Sequence, residues 1–566
     1  MRQPLLGLCC GALLLGACSE PAPPPAATPK NTIVADQILV NGKVLTVDAG
    51  FSITEAIAIR GERILATGTD EIIRSMADDH TQVLDLQGRT VVPGLIDNHH
   101  HFVRAAEQWY RQVRWDEVTD RRTALTMLQA KAARLPSGEW VVVLGGWIFE
   151  QFSDDSTPFT RVELDAVLPD NPLYIQLGYS RGYVNSLALG ATGIDAATVL
   201  QGPGTLVKDA NGALTGELIG SAAFMAVAGA IPATPSPTWD QSMASITQDY
   251  VAAGLTALLD VGGNTVTPAH YEALLRAKEA GGLPLRIFYT LNNSNDVGAT
   301  AEEIINALMT HPPRSGDDRF GQFAYGEMSY SGIRDAFGAE FKPGAEELDN
   351  YRRIVEIAAD RGWQIHEHAN RADKIAAILG IFEEVNQQHP MRELRWTLAH
   401  NEQISGASIT RAMQLGMGFA IHSSAGLGAP AMAAQEGRAV VSRVPPIQTI
   451  HNLGAHWGLG SDGTVVAGFN PFLNLAWAVT GKSRNGEQLL NETVSREAAL
   501  TAHTRGNAWL LFKEEVLGSI EPGKYADLVV LDRDYLEIEA DEIQYIKPVI
   551  TMIGGKVVYT REAAGQ

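Results

Sequence analysis

VVPGLIDNHHHF, residues 91–102, sets three histidines in a row behind a short apolar run and an aspartate. On a strand end, residues two apart face the same way, so His99 and His101 can reach one metal while His100 points elsewhere. Taken alone, His-x-His also fits a polar strand-to-loop transition. The rest of the chain has to say which it is.

Eight apolar runs read as strands separated by helical text. They are TVVPGLID, GLTALLD at 254–260, LPLRIFYTL at 283–291, FGQFAYGE at 320–327, GWQIHEH at 362–368, LRWTLAH at 394–400, MGFAIHS at 417–423 and WGLGSD at 457–462. Helical stretches such as ELDNYRRIVEIAADR lie between most of them. Strands alternating with helices predict a parallel sheet, and eight such units favour a TIM-type (β/α)₈ barrel over an open sheet. Barrel enzymes place their chemistry at the C-terminal ends of the strands. Here the ends of strands one, four, five, six and eight carry His99 and His101, Glu327, His368, His400 and Asp462. Borderline and hard metals such as Zn²⁺ accept such a nitrogen and oxygen set.

Between His101 and Gly254 the first connection is too long for one helix. Its own strand candidates, EWVVVLGGW and NPLYIQLG, predict an insertion over the barrel mouth spanning about 102–253. The short strands of residues 32–90 and those of 515–562 have the same character, with YADLVVLD and VITMIGGKVVYT at the far end. Both chain ends are therefore expected to build one small β-sandwich domain, leaving 91–514 to the barrel.

The first 18 residues, MRQPLLGLCCGALLLGAC, carry one charge and then an apolar run ending in small residues. This reads as an export signal. LLGAC resembles a bacterial lipobox, with Cys18 as the lipidated residue; an ordinary signal cut nearby is the alternative. The Pro- and Ala-rich residues 19–31 suit an extended tether. The expected location is the periplasm or cell surface, with membrane contact through the lipid alone. All three cysteines, Cys9, Cys10 and Cys18, fall in this leader, so neither a disulfide nor a thiolate ligand is available to the body. Lys and Arg number 44 against 65 Asp and Glu, a net charge of −21, which argues against nucleic acid as a partner. The oligomeric state stays open.

The motifs resemble a known family. VVPGLIDNHHH looks like the PGxxDxHxH opening of the metal-dependent amidohydrolase superfamily, and LGSIEPGKYADLVVLD at 517–532 resembles its C-terminal signature. GLTALLD, RWTLAHNE and LGSD match in order, and NSLALGATGI with the long insertion is similar to the YtcJ-like branch, amidohydrolase family 3. The resemblance covers roughly residues 32 to 560. It implies metal ligation by His99, His101, His368 and His400, with Asp462 beside the metal as general base. His366 shares a face with His368 and is a rival for the fifth-strand ligand. Many relatives carry a bridging carboxylated lysine on strand four. FGQFAYGEMSY has none, and Glu327 stands near that place. Glu327 either bridges two ions or serves substrate beside one. Relatives also often read HSAWVNSxAL where this chain has YSRGYVNSLAL, so the histidine is missing. Tyr179, Arg181, Tyr183, Asn185, His366 and His422 are candidates on the substrate side, as against lid packing or core roles. Trp115 and Trp147 are candidates for an apolar mouth.

The expectation is a hydrolase of a small molecule, cutting an amide, N-acyl or cyclic amide C–N bond. One or two divalent ions, expected to be zinc from the nitrogen and oxygen donors, would lower the pKa of water, and Asp462 would take its proton. An esterase, lactonase or deaminase keeps the metal but changes the bond. A lipid-anchored binding protein without turnover is the reading from a different class.

Overall fold

The computed structural model describes Met1 and residues 34–263, 266–292, 299–335 and 340–561. Cys18, the leader and the tether lie outside the described residues. Eight parallel strands form one sheet in chain order: β1 (Leu95–His100), β2 (Leu255–Asp260), β3 (Arg286–Leu291), β4 (Phe320–Glu327), β5 (Ile365–Ala369), β6 (Thr397–His400), β7 (Gly418–His422) and β8 (Trp457–Gly460). The sheet curls until its ends meet. His100 bridges to Gly463, the Asp462 N–H donates to the His99 carbonyl at 3.0 Å, and the His101 N–H donates to the Gly463 carbonyl at 3.0 Å. The seam of the barrel thus runs through the candidate ligands. Below it, the Asn507 side chain donates to the Leu459 carbonyl at 2.7 Å and accepts from Asn98 at 2.8 Å.

The strands read as near-continuous apolar text because both faces are covered. Every residue of β2, LTALLD, is buried. Outer helices such as Ala345–Asp360 bury one stripe, whereas Pro471–Thr480 is buried on most sides. In Ala345–Asp360 that stripe is Tyr351, Ile354, Val355 and Ala358, a helical spacing, with Glu346 and Glu347 in the first turn where the helix dipole favours them.

TVVPGLID is not one strand. Thr90–Pro93 belongs to a different sheet, and the chain crosses into β1 at Gly94. A Cβ at Gly94 would lie 2.2 Å from Thr256 Oγ1, so the crossing needs glycine. Thr90–Pro93 pairs antiparallel with Leu528–Leu531, which joins the two chain ends in a six-stranded sheet. A four-stranded sheet of residues 37–85 packs on it through Leu39, Ile57, Val44, Val91, Leu528 and Val530. Arg286 on β3 ties this unit to the barrel through a buried two-bond pair with Asp527, at 2.7 and 2.9 Å.

Between β1 and β2 a five-stranded sheet covers residues 141–219. Its core, with Trp115, Trp147, Phe152, Phe159 and Tyr183, is separate from the barrel's. The sheet touches the barrel at Gly145 and Gly146. The Gly146 N–H donates to the Val465 carbonyl at 3.0 Å, and a Cβ at Gly145 would sit 1.8 Å from the same oxygen. Among the described residues, no helix is long and apolar enough to cross a membrane.

Candidate metal centre at the barrel mouth

The strand ends converge on Glu327. It leaves the end of β4 and turns its two carboxylate oxygens toward two pairs of histidines. Oε2 lies 3.6 Å from His99 Nε2 and 3.7 Å from His101 Nε2. Oε1 lies 2.6 Å from His368 Nδ1 and 3.1 Å from His400 Nε2. Asp462, just past β8, faces the same space. Its Oδ1 is 3.3 Å from His101 Nε2 and 3.8 Å from His99 Nε2, and its Oδ2 is 3.7 Å from His400 Nδ1. All these side chains are buried or nearly so.

A second layer orients the rings. His101 Nδ1 meets the Gly262 carbonyl at 2.7 Å, which leaves Nε2 to point inward. His99 Nδ1 meets His366 Nε2 at 2.9 Å, and His400 Nδ1 meets His422 Nδ1 at 3.1 Å. His366 therefore stands behind His99, whereas His422 forms with His99, His400 and Asp462 a further group able to hold a metal; neither lines the open cavity. On β5 it is His368, not His366, that faces Glu327. His368 Nε2 contacts the Asn370 amide at 2.9 Å and lies 3.6 Å from Asp335. Asp335 also accepts the backbone N–H groups of Asn370 and Arg371, and buried Lys374 donates to Glu367 and to the His368 carbonyl. His100 turns away, to the Tyr250 hydroxyl at 3.2 Å.

Burial opposes ionisation of Glu327, but the facing imidazoles, His99 first, hold its carboxyl well below the usual range. Asp462 is also held low, against burial, by its bond from His101 and the charge of His400. Burial pushes the His99 pKa down against the pull of Glu327 and Asp462, and pushes those of His366 and His422 well down. For His400 burial is outweighed by Glu327 and Asp462, and its pKa rises to about 9. Burial lifts Glu402, two residues beyond His400, to about 7.

The donor set fits a metal. His99 Nε2 is buried without a hydrogen-bond partner among the described residues, yet it points between two carboxylates. Nitrogen and oxygen atoms bound to one Zn²⁺ at about 2.0–2.1 Å are roughly 3.3–3.4 Å apart in a tetrahedron. The separations around His99, His101, Asp462 and Glu327 Oε2 lie close to that range, at 3.3–3.8 Å. Glu327, His368 and His400 make a second such group.

The other candidates separate. Tyr179 and Arg181 line the cavity above the centre, and Arg181 pairs with Glu217 at 3.0 Å. Asn185 is not brought to the site. It is fully buried in the insertion, capping helix Ser186–Thr192 and bonding to the Leu173 N–H and the Leu168 and Asn171 carbonyls. Tyr183 packs in the insertion core beside Phe149 and Phe159. Trp147 reaches the cavity, whereas Trp115 stays in the core. The sequence reading missed Asp335, Asn370 and Glu402. Asn370, one residue past β5, and Glu402, two past β6, sit close enough to strand ends to have been noticed, whereas Asp335 does not.

Comparison with known proteins agrees with this geometry. A model of the amidohydrolase family matches residues 82–559. N-substituted formamide deformylase of Arthrobacter pascens is 28% identical, over 94% of this chain and 99% of its own length. YtcJ of Bacillus subtilis (strain 168) is 24% identical, over 90% of this chain and 96% of its own. The crystal structure of an uncharacterized metal-dependent hydrolase from Pyrococcus horikoshii superposes with a TM-score of 0.63 at 17% identity, over 89% of this chain and 99% of its own.

Proposed function

This chain belongs to the amidohydrolase family, and on that premise we propose that it hydrolyses the C–N bond of an amide, N-acyl or cyclic amide with Asp462 as general base. Hydrolysis of C–N bonds is supported by the family match and by the relative that removes formyl groups from N-substituted formamides. The observation that carries the reading is the placement of Glu327. One carboxylate turns each oxygen to a different histidine pair, as a group that bridges two ions would. His99, His101 and Asp462 would hold one ion with Glu327 Oε2, and His368 and His400 the other with Oε1. Zn²⁺ suits these donors.

A divalent metal bound here supplies a Lewis acid and lowers the pKa of water toward neutrality. The chain's own residues do the rest. Asp462 is ionised, so it is ready to accept a proton from water and to pass it to the leaving nitrogen. Its backbone is pinned to His99 at the barrel seam, which fixes the carboxylate relative to the histidines. Neutral His366 offers Nε2 as acceptor to His99, so the Nε2 of His99 stays free of its own proton. The surrounding burial excludes bulk water from all but the cavity side.

We also read Cys18 as the lipid-bearing residue of an exported protein, with 19–31 as tether, on the strength of the LLGAC motif. Residues 32–90 and 515–562 are taken as one β-sandwich domain on a barrel of 91–514, with the insertion at about 102–253. The pairing of Thr90–Pro93 with Leu528–Leu531 supports the union of the ends, although it carries the terminal sheet past residue 91 to Pro93.

The test is a substrate panel of N-substituted amides, N-acyl amino acids, cyclic amides, lactones and amino-heterocycles. The expected result is turnover of C–N substrates with water, lost on chelation. Turnover confined to lactones, or to deamination, would overturn the bond assignment.

A further inference from the structure

Glu402 is a carboxyl group at the barrel mouth that the chemistry above leaves unused. It follows β6 by two residues and lines the cavity above Glu327, a space of about 840 Å³, together with Asn370, His400 and Asp462. It is 4% exposed, and its Oε2 is buried without a hydrogen-bond partner. Among the described residues that line this cavity, no other carries such an atom. The remaining polar side chains of the lining are engaged or reach water. Arg181 pairs with Glu217 at 3.0 Å, Asn370 contacts His368 Nε2 at 2.9 Å, and Tyr179, Ser180 and Gln435 are exposed.

The backbone holds that carboxyl in place. His400 and Asn401 both have left-handed φ, 76° and 65°, which residues with a side chain seldom adopt. The Asn401 N–H donates to the Ala369 carbonyl at 3.0 Å, and the Gln403 N–H donates to the Asn370 carbonyl at 2.9 Å. Glu402 is thus pinned on both sides to the end of β5. His400 and Asp462 are near enough for their charges to act on it. A strained turn that brings an unsatisfied oxygen to the wall of a reaction cavity costs stability twice. A ligand that donates one hydrogen bond removes the second cost. An amide entering from water has the complementary need. With its carbonyl toward the centre, its N–H leaves water and must find an acceptor. Glu327 and Asp462 are already turned to the histidines, whereas Glu402 Oε2 is not taken.

Resting on the hydrolase reading above, we propose that Glu402 Oε2 accepts the N–H of the scissile amide, so that the substrate is an amide bearing at least one hydrogen on nitrogen and N,N-disubstituted amides are rejected. Water then adds across the C–N bond. The oxygen joins the carbonyl carbon, the C–N bond breaks, and the nitrogen leaves as an amine with its original hydrogen and a proton passed on by Asp462.

Two compounds that differ by one methyl group on nitrogen test this, N-(2-phenylethyl)formamide and N-methyl-N-(2-phenylethyl)formamide. With the metal-loaded full chain the first is expected to give a kcat/KM about 100-fold higher or more. Calorimetric binding to the metal-loaded Asp462→Asn variant should show the same order without turnover. Glu402→Leu, which removes the acceptor, should narrow the preference at least about tenfold, while Glu402→Gln, which keeps an acceptor oxygen, should retain most of it. A merely structural role for Glu402 would lower both rates together and leave their ratio unchanged. Equal or reversed preference in either assay, an unchanged ratio in Glu402→Leu, or binding of neither compound would overturn the proposal. Preferential binding of the N–H compound with cleavage of neither would uphold it and sink the hydrolase reading instead.

Discussion

Glu327 and Asp462 divide the labour at the centre, and each is separable by substitution. Asp462→Asn keeps an oxygen toward His101 but removes the base. Turnover should fall by about 10²–10⁴ with metal content retained, read by steady-state kinetics beside elemental analysis. Glu327→Ala removes the group shared by both histidine pairs. It should lower the metal content by at least one ion per chain, whereas unchanged content would deny it a ligand's role. The histidines at 99 and 101 were legible because side chains alternate along a strand, and the ends of β4, β5, β6 and β8 were legible because each run stops at a His, Glu or Asp. The partners behind them were not. That His366 meets His99 depends on how β5 and β1, far apart in sequence, face across the barrel, and that His422 meets His400 depends on how two neighbouring strands turn their last rings toward each other.

At the level of elements, the barrel strands read clearly because burial on both faces leaves unbroken apolar text. The boundary at Gly94 did not, since apolar residues run on through it and only the close approach of Thr256 marks the change of sheet. Asn185 was misleading for a similar reason. A polar residue in a motif shared with relatives suggested substrate, whereas its amide caps a helix and bonds three backbone groups besides. Its removal leaves buried groups unpaired. Asn185→Ala should cost about 2–4 kcal/mol in denaturant unfolding of the insertion, with KM of the remaining folded enzyme unchanged. A change in KM without loss of stability would return Asn185 to the substrate side.

For the whole molecule, strands from both chain ends share a six-stranded sheet, and a five-stranded sheet stands between β1 and β2. What the insertion contributes to the cavity was not legible, because it depends on the docking of Gly145 and Gly146 against Val465. Global stability should carry an acid-sensitive part from His503, which is buried and accepts a bond from Asn474 at 3.1 Å. Burial pushes its pKa down to about 4, against about 6.5 in the unfolded chain. Between these values the unfolded chain binds the extra proton, so stability falls as pH drops through that window, by a few kcal/mol at most. Burial of Asp97 and Asp260 raises each to about 6, which works in the opposite direction between about pH 4 and 6. His503→Gln should therefore lose less stability than the parent between about pH 7.5 and about pH 5, measured by denaturant unfolding.

The central claim is a metal-dependent hydrolase whose two histidine pairs share Glu327. The most direct measurement strips the full chain of metal, adds Zn²⁺ in steps and follows both bound metal and amide hydrolysis. The account predicts no turnover without metal and a plateau at two bound ions per chain. Undiminished hydrolysis by the stripped protein would contradict it.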